Sequence, residues 1–487
     1  MIALPDNILS DEGLPRVLSW IERKLGGKVV STSRQSRWRP MYFVDVETGE
    51  GIHELVVRGD RVDVPCVFPL EHEMLMQDQM HRHGIRVPAV HGWIDDPRCY
   101  VMDRVPGIAG FDGASDDQRQ TVMRDYMKLL ADLHRLPVEP FKAAGAHHAA
   151  AGDNPAEIGA RHFENVIYRG TKKRPDPFLE FVLGWLRRNP PKRPAREAVV
   201  TWDSGQFHQL DGQLVAMIDV ELAHIGDPMM DLAAFRMRDT VLNYGDIGAL
   251  YRQYEEFSGE PVDLDAIKWH HLFFTLTNAL SFHTALADPT PESDYMTNLQ
   301  WVNETNLFAI EALAEYLDVD LPKVALPEPE TTQVAPQFDH LVRSLTRIEA
   351  GDATAQHQVR ILFRLARHLR RWDEIGRAVE QQVFDDVAEV IGRRPTTWQE
   401  SEQTLEDFVL ADDGTHDLAL IHLFNRKLQR AQALNGPAGS AISWHSCVTR
   451  GCLEPCNSSF PAAVRSAGNC SILCGTIILK IGEACDP

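Results

Sequence analysis

No apolar run in this chain reaches the ~18–20 residues needed to cross a bilayer. The longest apolar-rich segment, Cys470 to Gly482, is interrupted by Lys480. The N-terminal MIALPDNILSDEG carries acids where a secretory leader needs a basic flank and an apolar run, so the expectation is cytoplasmic, with no membrane partner. Cysteine is scarce in the body: Cys66 and Cys99 are the only two in the first 446 residues, which excludes a disulfide framework there. Basic charge is short as well, with 49 Lys and Arg against 70 Asp and Glu and a formal net charge of -21. Such a surface repels phosphate backbones, and no nucleic-acid partner is expected. The chain also lacks G-x-x-x-x-G-K-[ST], H-E-x-x-H, G-x-S-x-G and a strand–G-x-G-x-x-G–helix, which argues against P-loop NTPases, zincins, α/β-hydrolases and Rossmann dehydrogenases.

What is present is enough apolar patterning for several cores in 487 residues. Val17, Leu18, Ile21 and Leu25 have helical spacing. Val29–Val30, Tyr42–Val46 and Glu54–Arg58 look like strands, followed by a helix from about Leu70 to His83 and strands at Val87–Gly92 and Cys99–Val105. This α+β region spans residues 1–107. Residues 108–320 are mainly helical and carry two short strands, Ala198–Trp202 and Gln213–Ile218. Residues 321–337, with Pro322, Pro327, Pro329 and Pro336, read as a linker, and 338–435 as a separate helical module. The last segment, 436–487, holds three basic and three acidic residues and six of the eight cysteines, in a spacing that fits no paired zinc knuckle. A weakly ordered tail is expected there.

The informative stretch is VVTWDSGQFHQLDGQLVAMIDVELAHIGDPMMDL, residues 199–232. Asp203 and Asp219 each end an apolar strand-like run, with an Asp211–Gly212 turn between them. A hairpin would bring both carboxylates to one end of a small sheet, where one can accept a hydroxyl proton and the other hold a divalent cation. Spacing alone fits two turn-capping acids equally well.

IDVELAHIGDPMMDL, residues 218–232, resembles the I-D-x-E…G-D-P-x-x-D segment of the aminoglycoside phosphotransferase-like, or choline kinase-like, small-molecule kinases. WLRRNPP, residues 185–191, resembles the branch of that family found with acyl-CoA dehydrogenases. Together with MYFVDVE, HELVVRGD, LEHEMLMQDQMHRHGIRVPAV, CYVMDRVPG and LLADLHRL, the likeness covers about residues 12–320.

The resemblance implies a two-lobed protein-kinase-like fold, with a small antiparallel-sheet N-lobe and a mainly helical C-lobe. It implies ATP and Mg2+ as cofactors and a small-molecule hydroxyl as acceptor: an aminoglycoside-like sugar, an amino alcohol or a hydroxyacyl compound. Asp203 takes the place of the catalytic base. Arg58 stands at the phosphate-binding position, paired with Glu71 as first choice and Glu73 as second. Ser31 and Ser33 lie in the phosphate-covering turn STSRQSR, and the backbone of Asp103, Arg104 and Val105 would meet the adenine. Asp219, Gln206 and Glu221 would serve the metal. Charge on a transferring phosphoryl group is spread over its oxygens, so catalysis rests on placing cations and orienting the nucleophile.

Three positions depart from the family pattern. Thr201–Trp202–Asp203 replaces H-G-D, Gln206 stands where the family has Asn, and the phosphate-covering turn has no glycine. A weak or inactive pseudokinase, binding nucleotide or acting as a scaffold, is therefore the rival expectation. The module at 338–435 would be its surface for a protein partner or second copy. A third reading places the chain in an acyl-CoA-processing assembly.

Overall fold

The computed structural model describes residues 7–35, 39–61, 65–193, 196–291, 293–351 and 353–435. The expected cysteine-rich tail and part of the expected phosphate-covering turn lie outside these residues. Contacts divide the described chain into two compact units, residues 7–167 with 191–270 and residues 168–190 with 271–435.

The first unit opens with α1 (Leu14–Leu25), which buries Val17 and Ile21 and ends on Gly26 in the left-handed conformation that glycine adopts without strain. Strands β1 (Lys28–Arg34), β2 (Met41–Thr48) and β3 (Gly51–Gly59) follow, then α2 (Leu70–Arg82), β4 (Val90–Asp95) and β5 (Arg98–Asp103). The five strands form one antiparallel sheet in the order β1-β2-β3-β5-β4. Val44, Val46, Leu55, Val57 and Val101 pack with Val17 and Ile21 beneath it.

After β6 (Ile108–Ala109) comes α3 (Asp116–His134), whose start is fixed by a capping box between Ser115 and Gln118. Two shorter helices, α4 (Glu139–Ala144) and α5 (Pro155–Phe163), precede α6 (Pro177–Arg188), which belongs to the second unit. The first unit resumes with β7 (Ala198–Val200), β8 (Phe207–Leu210), β9 (Gln213–Met217), β10 (His224–Gly226), α7 (Met229–Leu242) and α8 (Ile247–Ser258). Tyr126 and Leu130 of α3, Phe207, Met217, Leu232, Phe235 and Tyr251 share its larger core. A small antiparallel sheet with a helix between its third and fourth strands, followed by a mainly helical part, is the kinase-like class expected.

The expected hairpin is not the one formed. β7 pairs with β10, and the Asp211–Gly212 turn joins β8 to β9. The chain leaves β7 after Val200, turns through residues 201–206, and only then begins the hairpin.

The second unit holds α6, α9 (Leu264–Ala287) from His271 onward, and α10 (Tyr295–Leu317). It continues through α11 (Ala335–Leu345), α12 (Ala353–Arg371), α13 (Arg377–Ile391), α14 (Trp398–Ala411) and α15 (Asp417–Leu434). The helices expected to form a separate module are packed on α6 and α10. Phe424 of α15 sits 5.4 Å from Phe178 and 5.3 Å from Phe181, ring centre to ring centre. The expected linker has no regular structure over 319–332, yet it is tied down. Asn425 and Gln429 both donate to the Pro322 carbonyl, and Val324 N–H donates to Gln429. Each of α6, α10, α14 and α15 has an apolar face to bury, and they bury it together.

Candidate active site

The site lies within the first unit, and β3 and α2 supply its floor. Arg58, near the end of β3, is 4% exposed. Its Nε lies 2.6 Å from Glu73 Oε1, and its Nη2 donates to Asp219 Oδ1 at 2.7 Å. Glu73 faces the sheet because it shares a helical stripe with buried Met76, Gln77 and Met80.

Glu71, the first choice for this pair, is two residues and so about 200° away around the helix. It pairs instead with Arg98 at 2.7 Å, a partly exposed contact. The Arg58–Glu71 pair is thus replaced by Arg58–Glu73.

A second arginine enters the same knot. Arg39, just ahead of β2, donates through Nη1 to Glu73 Oε2 at 2.8 Å and through Nη2 to Glu221 Oε2 at 2.9 Å. Arg61 approaches Glu221 at 3.6 Å, as does Arg58. Three arginines and three carboxylates are therefore gathered in a space nearly closed to solvent. Burial and the neighbouring Asp219 push the Glu221 carboxyl up to about 7, against the pull of Arg39, Arg61 and Arg58.

Asp203 lies in the loop after β7 and is 2% exposed. Arg238 grips it with a two-pronged contact, Nε to Oδ1 at 2.7 Å and Nη2 to Oδ2 at 2.5 Å. Gln206 Nε2 donates to Oδ2 at 3.0 Å. Burial pushes the Asp203 carboxyl up to about 6; Arg238 opposes that shift, while Asp219 and Asp231 add to it.

Helix α7 holds the loop at two places. Asp231, fully buried, accepts from Thr201 N–H at 3.0 Å and Thr201 Oγ1 at 2.9 Å. Its Oδ2 also lies 2.9 Å from His134 Nε2, and His134 Nδ1 is 2.7 Å from the Tyr254 hydroxyl. Arg238 is seven residues further on, on the same helical face, about 10 Å along the axis.

Two residues of the site have left-handed backbone: Trp202 with φ 59° and Asp219 with φ 60°. A bulky residue in this region costs of order 1 kcal/mol or more, and such strain collects at functional sites. Trp202 stands where the family pattern has glycine, and its ring packs edge-on to Phe163 at 5.7 Å and His224 at 5.3 Å.

The remaining expected residues are placed less centrally. Ser31 and Ser33 are exposed on β1, and Ser31 Oγ donates to Asp45 at 2.5 Å. The backbone N–H of Asp103 is bonded to the Ala89 carbonyl and that of Arg104 to the Glu54 carbonyl, both at 2.9 Å. The Val105 carbonyl accepts from His208 Nδ1 at 3.1 Å.

Gln206 reaches Asp203 with its side-chain amide, while its backbone carbonyl accepts from Ile218 N–H at 3.1 Å, next to Asp219. Among the described residues, no three His, Cys, Asp or Glu side chains gather into a metal cage. Magnesium does not require one: it takes one or two carboxylates and completes its shell with phosphates and water. The all-oxygen pair Asp219 and Glu221 fits that demand.

Sequence reading missed Arg39, Arg238 and the Asp231–Thr201 tie. The seven-residue spacing of Asp231 and Arg238 was a usable signal; nothing in the local pattern marked Arg39.

A buried arginine–carboxylate knot thus stands beside a clamped aspartate, on a small sheet followed by helices. Residues 35–265, a little under half of the chain, match the model of the phosphotransferase enzyme family. The resemblance read from the sequence is borne out over that stretch. Among curated proteins the chain is similar to acyl-CoA dehydrogenase family member 11 of Homo sapiens, with 24% identity over 193 residues, 36% of this chain and 24% of that protein. It is also similar to the probable acyl-CoA dehydrogenase IBR3 of Arabidopsis thaliana, with 23% identity over 227 residues, 42% of this chain and 27% of that protein. The chain thus spans about a quarter of the length of these relatives.

Among solved structures, aminoglycoside phosphotransferase APH(4)-Ia with ADP and hygromycin B aligns at TM-score 0.44 and 15% identity, covering 61% of this chain and 97% of that one. Macrolide 2'-phosphotransferase MphH from Brachybacterium faecium aligns at TM-score 0.40 and 18% identity, covering 56% and 93%. No helix among the described residues is long and apolar enough to cross a membrane.

Proposed function

We propose that this chain transfers the γ-phosphoryl group of ATP to a hydroxyl of a small molecule. The observation that carries the reading is the shared pairing of Arg58 with Glu73 and Asp219, at 2.6 and 2.7 Å, beside the clamped carboxylate of Asp203. Arg58 binds phosphate oxygens and Glu73 aims it. Asp203 orients the acceptor hydroxyl and takes its proton, held in one rotamer by Arg238. Asp219 and Glu221 would hold magnesium, which when bound neutralises charge on the phosphate chain.

The acceptor classes are an aminoglycoside-like sugar, an amino alcohol and a hydroxyacyl compound. The names of the curated relatives favour the last of these. A cytoplasmic location and a small-molecule acceptor, with no nucleic-acid or membrane partner, complete the proposal.

One observation favours a second reading, an inactive nucleotide-binding scaffold: both candidate metal carboxylates are already held by arginine. The test is ADP release by the purified chain with ATP, magnesium and pooled hydroxylated compounds, hydroxyacyl compounds included. Acceptor-dependent ADP formation is expected. Nucleotide binding without turnover on any pool would select the scaffold, and absence of nucleotide binding would sink both readings.

A further inference from the structure

The knot holds two arginines besides Arg58, and one of them, Arg39, shares the glutamate that pairs with Arg58. Glu73 is shared, one oxygen to each of two guanidinium groups: Oε1 to Arg58 at 2.6 Å and Oε2 to Arg39 at 2.8 Å. Two like charges are thus set side by side in a pocket where their side chains are 5% and 7% exposed. Such an arrangement persists only with anions against it. Here Asp219 supplies one to Arg58 and Glu221 one to Arg39.

Those two carboxylates are also the candidate metal ligands. Once a divalent cation engages them, Arg58 and Arg39 each lose a partner, and only Glu73 remains between them. An anion carrying several charges must enter to restore the balance, and a polyphosphate does so. The planar fork of arginine matches phosphate oxygens with paired hydrogen bonds. The sequence just before Arg39, STSRQSR, contains no glycine to bring a bare backbone close to phosphate. Arg39, two residues beyond that stretch of sequence, supplies the donors instead.

Resting on the phosphotransferase reading, we infer that Arg39 is a second phosphate-contacting residue, which moves from Glu221 to the nucleotide and so releases Glu221 for the metal. Binding strength should therefore depend on the number of phosphates.

Calorimetry of the full chain in EDTA, with adenosine, AMP, ADP and ATP as probes, tests this. Wild-type affinity is expected to rise along that series. Arg39→Ala should weaken ATP and ADP binding roughly 10- to 100-fold and leave adenosine unchanged. Glu221→Gln, which loosens Arg39 from its resting partner, should strengthen metal-free ATP binding. An Arg39→Ala chain that binds ATP like the wild type overturns the inference, as does equal weakening for adenosine and ATP. If Arg39→Ala fails to fold, Glu221→Gln decides: unchanged or weaker ATP binding overturns it. A wild type that binds all four probes equally removes this inference and leaves the phosphotransferase reading standing. A wild type that binds none of the four in EDTA removes this inference, and one that also binds none with magnesium removes both.

Discussion

Arg238 meets Asp203 as a fork meets a carboxylate, with Nε on one oxygen at 2.7 Å and Nη2 on the other at 2.5 Å, both side chains 2% exposed. The arginine fixes the acid's rotamer and helps it stay ionised in a buried place. Helix α7 thus positions the candidate base directly, as well as holding its loop through Asp231 and Thr201.

Arg238→Lys keeps the charge but loses the fork. Turnover is expected to fall on the order of tenfold to a hundredfold, because a small misplacement of the reacting group is costly. The ATP KM should stay near the wild-type value. Steady-state kinetics checks this, and a normal kcat would show that Asp203 does not depend on the fork.

The two glutamates of α2 separate cleanly. Glu73→Gln leaves two buried arginines sharing one fewer charge, a loss of roughly 3–5 kcal/mol by analogy with other broken buried pairs. Glu71→Gln removes a partly exposed contact with Arg98, worth about 0–1 kcal/mol. Thermal melts with and without ATP should show a large fall in Tm and in nucleotide stabilisation for the first variant only.

Asp203→Asn and Asp219→Asn should fail at different steps. The first cannot take the acceptor proton and should retain ATP binding with turnover reduced at least about a hundredfold. The second loses a charge from the metal site and should lose most of the magnesium dependence of ATP binding. Calorimetry with and without magnesium distinguishes them. Full turnover by Asp203→Asn would remove the base assignment.

Acid should loosen the first unit through a histidine cluster. His72, His147, His162 and His224 surround Phe68, with centroid distances of 4.5 to 5.8 Å to its ring. Burial and mutual repulsion hold His72 and His147 down to about 4 and His224 to about 3. Glu73 partly opposes this at His72. The folded state therefore binds fewer protons than the unfolded chain, whose histidines titrate near 6.5. Stability is fully present above about pH 6.5 and lost progressively as pH falls toward 3–4, on the order of a few kcal/mol. Unfolding midpoints measured across this range should show the loss, and His147→Asn should reduce its steepness.

In the second unit, Phe424→Ala opens a cavity beside Phe178 and Phe181 and should cost roughly 3–5 kcal/mol. Truncation after residue 320 should likewise expose the buried faces of α6 and α10. Proteolysis and urea unfolding of the truncated chain check this; a fragment as resistant as the full chain would show that α14 and α15 are dispensable.

Much of the small sheet was legible because hairpin strands and their turns are local. Runs of strand-forming residues placed β2 and β3 within a few residues. The wrong hairpin followed from reading two strand-like runs across a turn as partners. Strand pairing is a non-local choice, and β7 found β10 beyond that turn.

The sequence by itself determined the order of helices and strands over residues 14–103, the motif IDVELAHIGDPMMDL, and the types of side chain available for phosphate and metal. These depend on periodicity and on neighbours a few residues apart. Only the tertiary structure decided that Glu73 rather than Glu71 meets Arg58, that Arg39 shares it, that Arg238 clamps Asp203, and that α14 and α15 pack with α6 and α10. Those contacts join residues 15 to more than 200 positions apart in the chain. Their selection depends on which faces can be buried together and which charges must find partners once water is excluded.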